Sequence, residues 1–280
     1  MKASPVLELA IEKLSQYDVQ HKEMDIYLRI LPKFKKILKS INEDGNIFPK
    51  AIAIDVHKEV IVMEDLLKKD YIMADRILQL DLQHTRLTLQ KMAKMHAASI
   101  VAHSKDSKIF DKFDTGMFNR KTDAFHCFFN SNMEALVNEV SEWPGYSYYA
   151  KKLQKLQLNL CENATKAFDR DEGDLHVFVH GDLWTNNVMF KYNDKNEPID
   201  VILLDFQFCC YASPAIDLLY FINTSCIEDL RQNRVEELIQ YYYYHLMDIL
   251  GRLSFDCEKL PSLHQFQQQV LKKYFYGKMI

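Results

Sequence analysis

The chain has 280 residues, of which 48% are hydrophobic and 26% charged, so it is long enough to bury a large core. Its net charge of −4, with acids and bases interspersed, argues against a nucleic-acid-binding protein. No apolar run approaches the roughly 20 residues that a membrane span needs, and the early charges argue against a secretory signal. Six cysteines without a CxxC pair predict free thiols, so we expect a cytoplasmic protein.

The N-terminal third predicts a long helix followed by a small hairpin. Apolar residues recur at helical spacing over residues 6–40, and Pro32 is expected to kink or break that helix. Two short β-prone segments, at residues 52–56 and 60–63, predict a β-hairpin. Asp81 is then in position to cap a strong amphipathic helix.

The rest of the chain alternates between helices and one β-rich segment. Residues 131–168 predict helices around a break at residues 143–145. The runs HVFVH and VILLDF are short, apolar and β-branched, and a polar turn at residues 193–196 separates them, so they predict a hairpin over residues 176–208. Few glycines and prolines favour helices elsewhere, and the predicted fold class is therefore α+β.

Three polar side chains near this predicted hairpin suggest phosphoryl-transfer chemistry. Asp182 and Asn187 follow the first strand and Asp205 follows the second, so the hairpin is expected to bring them together. Mg²⁺ prefers oxygen ligands, which Asn187 and Asp205 offer, and Asp182 is left to accept a proton from an attacking hydroxyl. Taken singly, each residue is also explained as a cap or turn former.

Two motifs in this region resemble a known family. The stretches HGDLWTNNVMF (180–190) and DFQFCCYASPAIDLLYF (205–221) carry the resemblance, with further similarity in IVMEDL, MADR and KMAKMHAAS. They resemble the protein kinase-like superfamily, and within it the ecdysteroid kinase-like family, which is related to choline kinases and aminoglycoside phosphotransferases. The implied fold is protein kinase-like, and the resemblance covers almost the whole chain.

The resemblance implies a role for each matching residue of the two motifs. Asp182 matches the catalytic base, and His180 matches the structural histidine of the catalytic loop. Asn187, also part of the catalytic set, and Asp205 match the metal ligands. Asp217 matches an aspartate that steadies the catalytic loop through backbone hydrogen bonds.

The resemblance also implies the nucleotide side of the site. The residues that match the connector whose backbone meets adenine are Met63, Glu64, Asp65 and Leu66. Glu23 matches a helix glutamate that fixes a strand lysine, and Lys2 matches that lysine. A solvated chain end is the alternative interpretation of Lys2. His96 is expected to be a packed helix residue rather than a ligand.

The expected product of this chemistry is a phosphorylated small molecule. The resemblance implies ATP and Mg²⁺ as cofactors, a hydroxyl of an ecdysteroid or other steroid as acceptor, and a monomer. Residues 1–66 are expected to form a partial N-terminal lobe and residues 67–280 a helical C-terminal lobe. No G-x-G-x-x-G motif occurs in the sequence, so we expect a chain shortened at both ends.

Two alternatives to an active kinase follow from the same residues. A pseudokinase or binding module would keep the helical lobe without turnover. Metal-dependent hydrolysis has weaker support, because the sequence contains neither HExxH nor GxSxG.

Overall fold

The computed structural model describes residues 17–43, 46–123 and 125–279. A helix that changes pitch begins the described chain: α1 (Val19–Asp25) runs into a π-helical stretch (Ile26–Ile30) and then α2 (Leu31–Lys39). Of the predicted kink or break at Pro32, the break does not occur, since helical structure continues from Val19 to Lys39. Pro32 lies in the first turn of α2, where its missing N–H removes little helical hydrogen bonding.

The β-hairpin predicted after this helix is confirmed. Strand β1 (Ala51–Asp55) pairs antiparallel with β2 (Val60–Met63). A 3-10 turn (Leu67–Lys69) and strand β3 (Tyr71–Met73) then lead toward the larger part of the molecule.

A long buried helix organises that larger part. Helix α3 spans Leu82–Lys105, and the Asp81 carboxylate caps it by accepting the N–H groups of Gln83 and His84, both at 3.0 Å. The predicted helices around the 143–145 break follow as α4 (His126–Glu142), α5 (Ser147–Gln157) and α6 (Leu160–Ala167).

The strand pairing differs from the predicted single hairpin over 176–208. Strand β4 (Val177–Val179) pairs with β7 (Cys210–Ala212), whereas β5 (Val188–Tyr192) and β6 (Pro198–Leu203) form a hairpin to which β3 adds a third strand. The predicted partners HVFVH and VILLDF therefore belong to different sheets. The polar segment between β4 and β5 turns the chain at Gly181, which has a φ of +81°, so β5 and not β4 lies beside β6.

Helices close the fold after β7. They are α7 (Ala215–Ser225), α8 (Glu228–Asn233), α9 (Val235–Arg252), a 3-10 turn (Cys257–Lys259), α10 (Leu263–Lys272) and α11 (Tyr274–Met279). One large hydrophobic core joins α1–α3 to β4–β7 and the closing helices. The six cysteines are free thiols, as predicted. In the described ranges, no helix has both the length and the hydrophobicity of a membrane span.

Candidate active site

The loop from His180 to Asn187 connects β4 to β5 and begins with a turn that requires glycine. Gly181 has a φ of +81°, and a Cβ at this position would lie 2.3 Å from the carbonyl oxygen of Phe208. Side chains rarely adopt this conformation, and the adjacent backbone excludes one here. Gly181 therefore lets the loop pass directly against the segment that follows Asp205.

Asp217, at the start of α7, binds the backbone of the same turn. Its carboxylate accepts the backbone N–H of His180 at 2.7 Å and that of Gly181 at 2.8 Å. The buried His96 ring is a third partner, with Nε2 at 3.0 Å from Asp217 and Nδ1 at 2.6 Å from the Tyr242 hydroxyl. Both predictions are confirmed: Asp217 steadies the loop backbone, and His96 is a packed helix residue.

His180 joins the catalytic loop to the strand that precedes Asp205. Its Nε2 lies 2.7 Å from the carbonyl oxygen of Leu204 and must donate there, while Nδ1 lies 3.4 Å from the backbone N–H of Asp182. These contacts fit one neutral tautomer, with the proton on Nε2. His180 is fully buried and its ring packs on Phe206, so its geometry is that of a structural residue.

Asp182 and Asn187 form the polar centre of the loop. The side-chain amide of Asn187 donates to the backbone carbonyl of Asp182 at 2.8 Å and to its Oδ2 at 3.1 Å. The Tyr220 hydroxyl donates to the other carboxylate oxygen, Oδ1, at 2.6 Å. Because both hydrogen-bonding directions of the Asn187 amide nitrogen are used internally, its amide oxygen is the group left for a ligand.

Asp205 follows β6 in a strained conformation beside this loop. Its φ of +63° lies in the left-handed region, which non-glycine residues adopt mainly where surrounding structure enforces it. The backbone N–H of Leu204 donates to the carbonyl oxygen of Asn187 at 2.8 Å, so the two loops are joined one residue before Asp205. The amide of Gln207 donates to Asp205 Oδ2 at 3.2 Å.

Three partly buried carboxylates share this region, and each has a perturbed pKa. Burial raises the pKa of Asp182, and the charge of Asp205 adds to that shift. Burial likewise raises the pKa of Asp205. For Glu23, burial raises the pKa first and the charge of Asp205 raises it further. The charge of Asp205 therefore acts on both neighbouring carboxylates, which places the three acids in one electrostatic environment.

Glu23 reaches the site from α1 and holds the residue after Asp205. Its Oε1 accepts the backbone N–H of Phe206 at 3.0 Å. Tyr27, one helical turn later, packs edge-on against the Phe206 ring with centroids 5.8 Å apart. The predicted partner Lys2 lies outside the described residues, so the Lys2–Glu23 pair stays a prediction.

The predicted connector residues contact the end of β6 through Leu66, which packs in a cluster with Ile202 and Leu204. Met63 ends β2 and its sulfur accepts from the Tyr27 hydroxyl at 3.7 Å, while Glu64 forms an ion pair with Lys69. The Asp65 carboxylate accepts the N–H of Leu67 at 3.0 Å. Leu66 is buried in a small second cluster, against which Leu204 packs; its other members are Tyr71, Met189 and Ile202.

The structure thus brings most of the predicted residues to one place. Asn187 is bonded to Asp182, and His180 and Asn187 are each bonded to Leu204, the residue before Asp205. Glu23 is bonded to Phe206, the residue after Asp205. The connector is joined to the site through the packing of Leu66 near Leu204 and through Met63, which contacts Tyr27 beside Phe206. The contacts of Gly181 and Tyr220 with the site were not predicted. The sequence offered a signal for each, because a glycine stands between His180 and Asp182 and a tyrosine follows Asp217 by three residues.

The described residues thus combine helices with three small sheets, and two polar loops meet beside Asp205. The chain belongs to the ecdysteroid kinase-like family, whose profile matches residues 1–255. This confirms both the family resemblance and the predicted α+β, protein kinase-like fold class. No functionally curated protein matches the chain significantly.

Solved kinase structures are similar to this chain only at low identity. A Plasmodium vivax ethanolamine kinase shares 15% identity at a TM-score of 0.42, covering 90% of this chain and 64% of its own. A type I macrolide 2'-phosphotransferase shares 14% identity at a TM-score of 0.27, covering 70% of this chain and 50% of its own. A Streptococcus pneumoniae choline kinase shares 10% identity at a TM-score of 0.33, covering 85% and 77%. The chain therefore spans less than two thirds of the first two proteins.

Proposed function

We propose that this protein transfers the γ-phosphoryl group of ATP to a hydroxyl group of a small molecule, with Mg²⁺ as cofactor. The observation that carries the proposal is the convergence of Asp182, Asn187 and Asp205. Asn187 is bonded to Asp182 through its side chain and to Leu204 through its backbone, so one residue connects the two halves of the site. Phosphoryl transfer needs this kind of fixed charge and positioning more than covalent chemistry.

In this proposal Asp182 is the general base. The acceptor O–H gives its proton to the Asp182 carboxylate as the acceptor oxygen bonds to the γ-phosphorus. The bond from the γ-phosphorus to the bridging oxygen breaks at the same centre, and its electron pair leaves with ADP. Burial raises the pKa of Asp182, which brings this carboxylate nearer to the proton affinity that a base needs at neutral pH.

The metal ligands in this proposal are the Asn187 amide oxygen and an Asp205 carboxylate oxygen. Both are hard oxygen donors, and Mg²⁺ usually takes only one or two ligands from protein before phosphates and water complete its shell. In this proposal the pair of Asn187 and Asp205 would be the protein's share of the ligands. When bound, Mg²⁺ would neutralise charge on the phosphates.

The nucleotide would lie between the connector and the Asp205 loop. Met63, Glu64, Asp65 and Leu66 would provide the adenine side, supported by the packing of Leu66 and Leu204 in one cluster. Glu23 would fix the Asp205 loop through Phe206 and, with Lys2, the phosphates. We retain the division into an N-terminal lobe at 1–66 and a helical lobe at 67–280 as part of this proposal.

For the acceptor we propose an ecdysteroid or another hydroxylated steroid, supported by the family to which the chain belongs. We further propose that the protein acts as a monomer in the cytoplasm, for which its six free thiols are favourable.

The test is transfer of label from γ-labelled ATP to a panel of hydroxylated steroids, choline and ethanolamine, with and without Mg²⁺. We expect labelled steroid with the wild-type protein and a loss of at least about 100-fold with Asp205→Ala. Asn193→Ala, in the exposed turn between β5 and β6, is the matched control and should transfer normally. Nucleotide binding without transfer to any acceptor would favour the pseudokinase alternative, and label in inorganic phosphate alone would favour hydrolysis.

A further inference from the structure

Tyr220 makes a side-chain contact with the proposed base that no sequence motif predicted. Its hydroxyl lies 2.6 Å from Asp182 Oδ1, and Asn187 donates to Oδ2 from another side at 3.1 Å. Two donors on the two oxygens fix the plane of a carboxylate, whereas one donor would leave it free to rotate. Each oxygen keeps a second acceptor direction, so Asp182 can still receive the proton of an acceptor hydroxyl.

One face of α7 supports the catalytic loop at two levels. Asp217 and Tyr220 are three residues apart, and residues at this spacing lie on the same side of a helix. Asp217 binds the loop backbone at His180 and Gly181, while Tyr220 binds the side chain of Asp182. The helix therefore controls both where the loop lies and how its carboxylate is turned.

Tyr220 is itself held firmly. Only 9% of its surface is exposed, and its ring stacks near that of Tyr276, with centroids 6.3 Å apart and planes 29° apart. Helix α11 can approach α7 because Gly277 has no side chain: a Cβ there would lie 2.9 Å from Leu219 Cβ and 2.7 Å from Asn223 Nδ2. Burial also raises the pKa of Tyr220, so its hydroxyl stays a donor at neutral pH.

We propose that Tyr220 is a positioning residue, whose hydroxyl holds the Asp182 carboxylate in the orientation that receives the acceptor proton. The inference rests on the proposed role of Asp182 as the base. Tyr220 does not touch the phosphoryl group in this account, and acts only through Asp182.

The test compares the hydroxyl groups of two tyrosines whose rings are neighbours. Tyr276 is fully buried and its hydroxyl has no hydrogen-bond partner among the residues that the structure describes, so Tyr276→Phe removes the same atom without removing a hydrogen bond to Asp182. We expect Tyr220→Phe to lower kcat by about 10-fold or more, because misplacing a reacting group by a fraction of an ångström slows transfer strongly. The KM for ATP should change by less than about twofold, and Tyr276→Phe should leave kcat unchanged.

A second readout does not depend on turnover. The chain has two tryptophans, Trp143 and Trp184, so Trp143→Phe leaves Trp184 as a reporter two residues after Asp182. In this background we expect Tyr220→Phe to raise acrylamide quenching of Trp184 by about twofold as the loop loosens, and Tyr276→Phe to leave it unchanged. A urea midpoint for each variant checks that it is folded.

The two readouts separate the possible failures. If the wild-type protein transfers no phosphate, the proposed function fails while the quenching comparison still tests Tyr220. If Tyr220→Phe and Tyr276→Phe give the same quenching of Trp184, the inference is wrong. It is also wrong if Tyr220→Phe lowers the urea midpoint of an active protein without changing its kcat, since Tyr220 is then only a packing residue.

Discussion

Replacing Gly181 by alanine tests how closely the two site loops must approach. The substitution adds one methyl group at a φ of +81°, with its carbon 2.3 Å from the carbonyl oxygen of Phe208. The left-handed conformation alone costs an alanine about 1–2 kcal/mol relative to glycine. Overpacking against a neighbour that must move adds about 1–3 kcal/mol, so we expect a total loss of about 2–5 kcal/mol.

Gly173 offers a matched control for this prediction. It has the same φ of +81°, but a Cβ there would meet nothing within 4 Å. Gly173→Ala should therefore lower the free energy of unfolding only by the cost of the left-handed conformation, about 1–2 kcal/mol. The difference between the two variants isolates the contact between the catalytic loop and the segment after Asp205.

Urea unfolding, followed by circular dichroism, measures both losses as changes in free energy of unfolding. In an active protein, Gly181→Ala should also lower kcat, because the methyl group pushes Asp182 away from the Asp205 loop, and Gly173→Ala should not. Equal losses of stability in the two variants would refute the close approach of the loops at Gly181.

Two further predictions concern the acids around the site. Burial raises the pKa of Glu23 in the folded protein. The protonated Glu23 therefore contributes fully to the free energy of unfolding below the ordinary glutamate pKa, and this contribution is lost as the pH rises through the pKa that Glu23 has in the folded protein. Glu23→Gln keeps an acceptor for the Phe206 amide, so its urea midpoint should exceed wild type at about pH 8 and match it at about pH 3. A lower midpoint at pH 8 would instead reveal a cation paired with Glu23, as predicted for Lys2. Asp217→Asn should lower the free energy of unfolding by about 2–4 kcal/mol, because a side-chain amide cannot accept hydrogen bonds from His180, Gly181 and His96 together. A denaturation midpoint equal to that of the wild-type protein would contradict this prediction.

The sequence predicted which polar residues lie near one another better than it predicted the strand pairing. Asp182, Asn187 and Asp205 were predicted to come together from their residue types and order, and the two loops that carry them do meet. The pairing of β4 with β7 was missed, because HVFVH and VILLDF carry the same apolar pattern and nothing local distinguishes a strand's partners. The correct hairpin uses VMFKY, whose ending in Lys191 and Tyr192 gives it a weaker apolar signal.

Contacts that depend on distant elements could not be predicted from spacing. Glu23 was predicted to bind a lysine, but the contact in the described residues is the backbone N–H of Phe206, more than 180 positions away. Pro32 was expected to kink or break a helix, and nothing in the sequence indicated the π-helical stretch that precedes it. Tyr220 could have been suggested by its position three residues after Asp217, yet only the fold brings its hydroxyl to Asp182.

The central claim is that Asp182 accepts the proton of an acceptor hydroxyl during phosphoryl transfer. The most direct measurement is single-turnover transfer from Mg·ATP to the best steroid acceptor, by the wild-type protein and by Asp182→Asn, with nucleotide affinity measured by calorimetry. Loss of a general base should slow transfer by about 10²–10⁴-fold while ATP affinity stays within about twofold. Transfer by Asp182→Asn at the wild-type rate would contradict the account.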